Sequence, residues 1–111
     1  MESIMKIPKS IRIGGIEYVV AENEVNLNDG ERLLYGQINY TESTIKLTDM
    51  PVSYQVKCLT LWHEILHGIQ HASGMEIENE EAVVEMFSRG IYQVLQDNVG
   101  RLFDLQEVNN A

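Results

Sequence analysis

Cysteine is nearly absent from this chain of 111 residues, in which Cys58 is the only one. A single cysteine cannot form a disulfide within the chain, and this is typical of a protein from a reducing compartment. No apolar run approaches the roughly 18 residues of a membrane-spanning helix, and the start MESIMKIPKS is not followed by the apolar run of a signal peptide. We therefore expect a cytoplasmic protein without a membrane segment.

Basic residues are also few, and they are scattered singly along the chain. Eight Lys and Arg residues stand against 17 Asp and Glu residues, which gives a formal net charge of −9. Such a surface repels a phosphate backbone, so nucleic acid is not an expected partner. The length and the hydrophobic fraction of 44% are typical of one globular domain, residues 1–111, with a single modest core.

The N-terminal half has the pattern of β-strands. In IRIGGIEYVVAE, apolar residues alternate on both sides of Gly14 and Gly15, and a Gly-Gly pair between such runs predicts a hairpin turn. The runs LLYGQINY and TIKLTD predict a second pair of strands, joined by a turn at residues 41–43. We expect three or four strands in a small, mostly antiparallel sheet.

The C-terminal half has the pattern of two helices. The first is predicted from residue 54 to about residue 72, ended by Ser73 and Gly74. Its predicted buried stripe is Leu59, Trp62, Leu66 and Ile69. The second is predicted from about residue 79 to residue 97, where Asn98 and Gly100 end it. Its expected buried stripe is Val83 or Val84, Phe87, Ile91, Val94 and Leu95. The predicted fold class is therefore α+β, with the N-terminal antiparallel sheet packed on two antiparallel helices.

The first predicted helix contains the segment LWHEILHGIQHASG, in which histidine and glutamate have a metal-binding spacing. His63 and His67 lie about 40° apart on a helix surface, so their imidazoles can reach the same ion. Glu64 lies about 100° from His63, where its carboxylate can reach a water rather than the ion. One rigid helix thus presents two ligands and a general base.

Catalytic zinc usually has three protein ligands, so the two histidines leave such a site one ligand short. The second helix offers Glu81 as the missing ligand, and Glu85, one turn further on, as a carboxylate that orients a histidine. Glu78, Glu80 and Glu85 remain alternatives to Glu81. His71 is another alternative, although a straight helix spreads three successive turns over about 12 Å, too far for one ion.

The pentapeptide His63-Glu64-Ile65-Leu66-His67, followed by a helix that bears Asn79-Glu80-Glu81-Ala82-Val83-Val84-Glu85, resembles a zincin of the gluzincin group. The short chain and the order of its elements resemble the minimal zincins carried by phages and prophages, which are distant relatives of the ImmA/IrrE-type metallopeptidases. The resemblance covers residues 35–98. It implies a zinc site made by His63, His67 and Glu81, and hydrolysis of a peptide or protein substrate by a metal-activated water with Glu64 as general base.

The run at residues 82–88 departs from the Ala-Asn-x-Phe-Ala-like run that usually follows the third ligand in ImmA/IrrE-type proteins. The connection before Glu81 is also shorter than in large gluzincins, which leaves little room for a walled cleft. The alternative function is therefore a zinc-binding regulatory or host-interaction protein with little or no turnover. A third reading is a structural protein without metal. For the enzyme, a strand at residues 35–40 or 44–48 is expected to pair with an extended substrate.

Overall fold

The computed structural model describes residues 5–104 of the chain. Its elements, in chain order, are β1 (Ser10–Ile13), β2 (Ile16–Glu24), β3 (Gly36–Asn39), β4 (Thr44–Thr48), α1 (Tyr54–Ser73) and α2 (Glu80–Leu102). One four-stranded sheet and two helices make an α+β fold, which confirms the predicted fold class. Within the described residues, no helix combines the length and the apolarity needed to cross a membrane.

The sheet has the strand order β1-β2-β4-β3, and one of its pairings differs from the prediction. The hairpin between β1 and β2 turns at Gly14 and Gly15, whose φ angles of 58° and 81° favour glycine. The β3–β4 hairpin is antiparallel as well. However, β2 and β4 pair in parallel, with Val20 opposite Ile45. The connection after β2 carries the chain to the far edge, and the β3–β4 hairpin then returns β4 beside β2, so the sheet is mixed.

The hydrophobic core lies between the sheet and α1. Its buried members are Ile13, Tyr18, Val20, Ile45, Leu47, Leu61 and Ile65. On α1 the buried positions are Cys58, Leu61, Glu64, Ile65 and Gly68. The predicted buried stripe of Leu59, Trp62, Leu66 and Ile69 was therefore wrong, because the buried face of the helix is rotated by one residue position. The helix packs on the sheet and on α2, which makes its apolar arc wide. Spacing alone does not show which part of such an arc faces the sheet.

Both ends of α1 are fixed by capping groups. The Ser53 Oγ accepts a hydrogen bond from the Val56 N–H at 3.2 Å, and Gly74 ends the helix in the left-handed conformation with φ of 72°. A connection of residues 74–79 then leads into α2. His63 contacts Glu85, whereas His67 contacts Glu80 and Glu81, so the two helices run antiparallel as expected.

Helix α2 packs on α1 along one narrow face. Its buried residues are Val84, Ser88 and Tyr92. The prediction that Phe87 and Val94 are buried was wrong, because these residues are 51% and 53% exposed. Asn98, the predicted end of the helix, has non-helical φ and ψ of −129° and 19°, and the helix resumes after this kink.

Candidate metal centre

A groove of about 790 Å³, lined by both polar and apolar side chains, lies between β3, α1 and α2. Helix α1 contributes His63, Glu64 and His67 from adjacent turns, and the first turns of α2 contribute Glu81 and Glu85. The antiparallel packing of the two helices brings these carboxylates opposite the histidines. The structure therefore brings together the side chains that the sequence singled out, on the rigid elements expected to carry them.

Three ligand atoms converge at the centre of this group. The Nε2 atoms of His63 and His67 are 3.2 Å apart. The Glu81 carboxylate places Oε1 at 2.6 Å from Nε2 of His63 and Oε2 at 3.0 Å from Nε2 of His67. Two nitrogens bound to a tetrahedral zinc at about 2.0–2.1 Å lie ~3.3 Å apart. The observed separation is close to that value, and the three side chains could hold a metal ion.

Each histidine is also held by a carboxylate on the other side of its ring. Nδ1 of His63 lies 3.0 Å from Oε2 of Glu85, and Nδ1 of His67 lies 2.5 Å from Oε2 of Glu80. An ionised carboxylate only accepts hydrogen bonds, so each Nδ1–H can donate to its carboxylate, and in that tautomer each Nε2 offers a lone pair to a metal ion. Glu85 thus takes the orienting position expected for it. Glu80, expected only as an alternative ligand, does the same for the second histidine.

The resulting donor set fits a cation. With both Nδ1 protons donated outward, two Nε2 lone pairs face each other and face the Glu81 carboxylate. Such an arrangement of acceptors is electrostatically favourable only when a cation or additional ring protons lie between them. Imidazole nitrogen and carboxylate oxygen are ligands that zinc shares with several other transition metals.

Glu64 is buried beside this group, with only 6% of its surface exposed. Burial raises the pKa of its carboxyl group above the ordinary value. His63, His67 and a hydrogen bond from the Ile38 backbone N–H act in the opposite direction. A cation bound next to the carboxylate would also lower the pKa. Glu64 is therefore an enclosed carboxylate fixed by strand β3, rather than a solvated helix residue.

Gly36 allows β3 to approach α1 this closely. A Cβ atom on Gly36 would lie 2.5 Å from Cγ2 of Thr60 and 3.3 Å from Oε2 of Glu64. The first of these distances is far below van der Waals contact, so a larger residue would displace the strand or the helix. Sequence reasoning did not single out Gly36, because the contact depends on how the strand and the helix pack.

His71, the alternative third ligand, lies outside the converging group. Its ring stacks on the ring of Tyr40, with centroids 3.7 Å apart and planes inclined by 6°. The Tyr40 hydroxyl donates a hydrogen bond to the backbone oxygen of His67 at 3.1 Å. Burial, followed by the negative charge of Glu80, raises the pKa of Tyr40 to about 12, so this phenol remains a donor at neutral pH. Tyr40 and His71 thus lie at the end of the groove next to His67.

Arg89 extends the carboxylate network along α2. Its Nε donates to Oε1 of Glu85 at 2.6 Å, and this contact lowers the pKa of the Glu85 carboxyl group. Glu85 therefore remains an ionised acceptor for the Nδ1–H of His63. A chain of contacts thus leads from Arg89 through Glu85 to the imidazole of His63.

Comparison with known proteins does not place the chain in a family. No family model matches it, and neither does any curated protein or solved structure. The resemblance to minimal zincins stays a prediction that rests on the residues of the motif helix and the glutamate helix.

Proposed function

We propose that the protein is a zinc-dependent metallopeptidase. The observation that carries this proposal is the convergence of two imidazole nitrogens and one carboxylate oxygen, with the buried carboxylate of Glu64 beside them in a groove. Three protein ligands are typical of a catalytic zinc, which keeps one position open, whereas structural zinc usually has four. The expected ligands are His63, His67 and Glu81.

Zinc, when bound at such a site, lowers the pKa of a water to about 7 and polarises a carbonyl group. Glu64 would then accept the proton of the attacking water and deliver it to the leaving amine. Its burial supports this role, because desolvation of the carboxylate makes it a stronger base. Glu80 and Glu85 would hold the histidine rings in place during the reaction.

Strand β3 would align the substrate. It lies at the edge of the sheet and lines the groove. The Tyr35 backbone oxygen accepts from the Thr48 N–H at 2.8 Å, so alternation turns the backbone groups of Gly36 and Ile38 away from β4. The Ile38 N–H donates to Glu64, so an extended peptide could pair with the backbone groups of Gly36 and the carbonyl of Ile38 by β-augmentation. A peptide is therefore the substrate class that the groove favours.

The test is the variant Glu64→Gln, assayed for zinc content and for hydrolysis of a mixed peptide library followed by mass spectrometry. We expect the variant to retain zinc and to lose activity by about 10²–10⁴-fold, the usual contribution of general acid–base catalysis. Glu42→Gln, at an exposed turn away from the groove, is the matched control and should retain activity. Hydrolysis that survives in Glu64→Gln, or no hydrolysis by the zinc-loaded wild type, would refute the proposal.

A second candidate is a zinc-binding interaction protein with little or no turnover. The exposed apolar side chains of Phe87 and Val94 on α2 favour it, since exposed apolar surface often marks a contact with another protein. The same Glu64→Gln variant separates the two candidates. It would preserve the biological effect of an interaction protein and abolish that of a peptidase.

A further inference from the structure

We propose that Arg32 and Arg89 form a subsite that binds a carboxylate of the substrate at one end of the groove. The carboxylate would belong to an acidic side chain or to the C-terminus of the peptide. This inference rests on the proposed peptidase function and assigns it a substrate preference.

The two arginines face the same groove from opposite walls. Arg32 belongs to the loop that leads into β3, and Arg89 belongs to α2. Among the described residues they are the two Lys or Arg side chains that line the groove, in a chain that has only eight such residues and a net charge of −9. The same lining holds the carboxylates of Asp29, Glu64, Glu81 and Glu85, so the two guanidinium groups are its only Lys or Arg groups that can bind a substrate carboxylate within the described residues.

Both arginines lie at the end of the groove where β3 begins. Arg89 follows Glu81 by eight residues, which corresponds to about 12 Å along the helix axis. Gly36, the first residue of β3, packs against Thr60, one turn before Glu64 on α1. Tyr40 marks the opposite end of the groove, beside His67. Both arginines therefore lie on the same side of the metal ligands, toward the start of β3.

This displacement matches a few residues of an extended substrate. At about 3.3 Å per residue, 12 Å corresponds to three or four residues of an extended chain. A peptide that pairs antiparallel with β3 has its C-terminal end where β3 begins. A side-chain carboxylate on the C-terminal side of the cleaved bond, or the terminal carboxylate itself, would then reach the arginines.

Each guanidinium group is held by an ion pair but retains N–H groups that can donate further hydrogen bonds. Nε of Arg32 lies 3.5 Å from Oδ2 of Asp29, and Nε of Arg89 lies 2.6 Å from Oε1 of Glu85. Within residues 5–104, both side chains form their ion pairs through Nε, and the side chains are 77% and 69% exposed. The terminal nitrogens can therefore form the paired hydrogen bonds with which arginine recognises a carboxylate.

The loop that carries Arg32 is itself ordered by Asp29. Oδ1 of Asp29 accepts hydrogen bonds from the N–H groups of Glu31 and Arg32, each at 3.0 Å. Asn28 and Leu33 close the loop with a β-bridge. A side chain on such a loop loses less conformational entropy when it binds a ligand than one on a loose loop.

The experiment compares synthetic peptides that differ at one position C-terminal to the cleaved bond, Glu or Gln, each with a free or an amidated C-terminus. Hydrolysis by the zinc-loaded wild type gives kcat/KM, and fluorescence polarisation with zinc-loaded Glu64→Gln gives Kd without turnover. We expect a preference of about tenfold or more for the peptide that carries the carboxylate. The Glu/Gln and free/amidated arms show whether that carboxylate is a side chain or the terminus.

Arg32→Gln should remove most of the preference, measured as the ratio of kcat/KM for the carboxylate-bearing and the neutral, amidated peptide, whereas Arg32→Lys should retain part of it. Arg12→Gln, on β1 outside the groove, is the matched control. Arg89→Gln should act like Arg32→Gln, with zinc content measured because Arg89 contacts Glu85.

Two results would overturn the subsite while hydrolysis still supports the peptidase. One is equal kcat/KM and Kd values for all four peptides, and the other is a preference that survives in Arg32→Gln. A binding preference without hydrolysis would refute the peptidase and retain the subsite.

Discussion

Oε2 of Glu80 lies 2.5 Å from Nδ1 of His67, on the side of the imidazole opposite the nitrogen that faces Glu81. His63 has the same arrangement, with Glu85 at its Nδ1 and Glu81 at its Nε2. Two successive turns of α2 thus supply both the converging carboxylate and the two carboxylates behind the rings. The orientation of the two imidazole rings therefore depends on how α2 packs on α1.

The first prediction concerns Glu80. Glu80→Ala removes the acceptor of the His67 Nδ1–H and should lower zinc affinity by about 10–100-fold, the usual effect of losing such a partner. Glu80→Gln should retain part of the affinity, because the amide oxygen still accepts a hydrogen bond. Competition with a chromophoric chelator measures both values. Glu78→Ala, in the exposed connection between the helices, is the control, and equal affinities for Glu80→Ala and Glu78→Ala would count against the assigned role.

The second prediction concerns the contact between β3 and α1. Gly36→Ala introduces a Cβ atom 2.5 Å from Cγ2 of Thr60, and should lower the free energy of unfolding by about 1–3 kcal/mol, the usual cost of overpacking. Gly90→Ala is the matched control, because a Cβ on that helical residue meets open space, and it should stabilise the protein by ~0.5–1 kcal/mol. Urea unfolding followed by circular dichroism measures both changes. A neutral Gly36→Ala would show that the strand does not approach α1 this closely.

The third prediction concerns the pH dependence of the Arg32 loop. The N–H groups of Arg32 and Glu31 hold the pKa of Asp29 below its ordinary value of 3.8. Because the folded-state pKa is the lower one, the stabilisation is present above pH 3.8 and is lost as the pH falls through the folded-state pKa. A carboxyl-carbon NMR titration should therefore give Asp29 a midpoint below 3.8. In Asp29→Asn this part of the acid dependence of stability should disappear, and a midpoint at or above 3.8 would contradict the hydrogen bonds.

Local sequence signals predicted the parts of the fold that depend on neighbouring residues. The turn at Gly14 and Gly15 and the end of α1 at Gly74 follow from conformational preferences of single residues or pairs. The spacing of His63 and His67 likewise follows from helix geometry alone. The structure shows these features at the expected places.

Features that depend on packing between elements were not predictable in the same way. The parallel pairing of β2 with β4 requires knowledge of where the β3–β4 hairpin docks. The exposure of Phe87 follows from α2 packing on α1 along one narrow face, which an apolar periodicity does not reveal. The role of Glu80, and the meeting of Arg32 with Arg89 in one groove, depend on the rotation of α2 and on the path of the loop before β3.

The most direct test of the metal centre is the zinc content of the purified protein after reconstitution and dialysis, measured by mass spectrometry for wild type, Glu81→Ala and His71→Ala. The converging group predicts about one zinc per chain in wild type and in His71→Ala, whose ring stacks on Tyr40 outside the group, and loss of zinc in Glu81→Ala. A wild type without zinc, or a Glu81→Ala variant that binds zinc as tightly as wild type, would contradict the assignment of His63, His67 and Glu81.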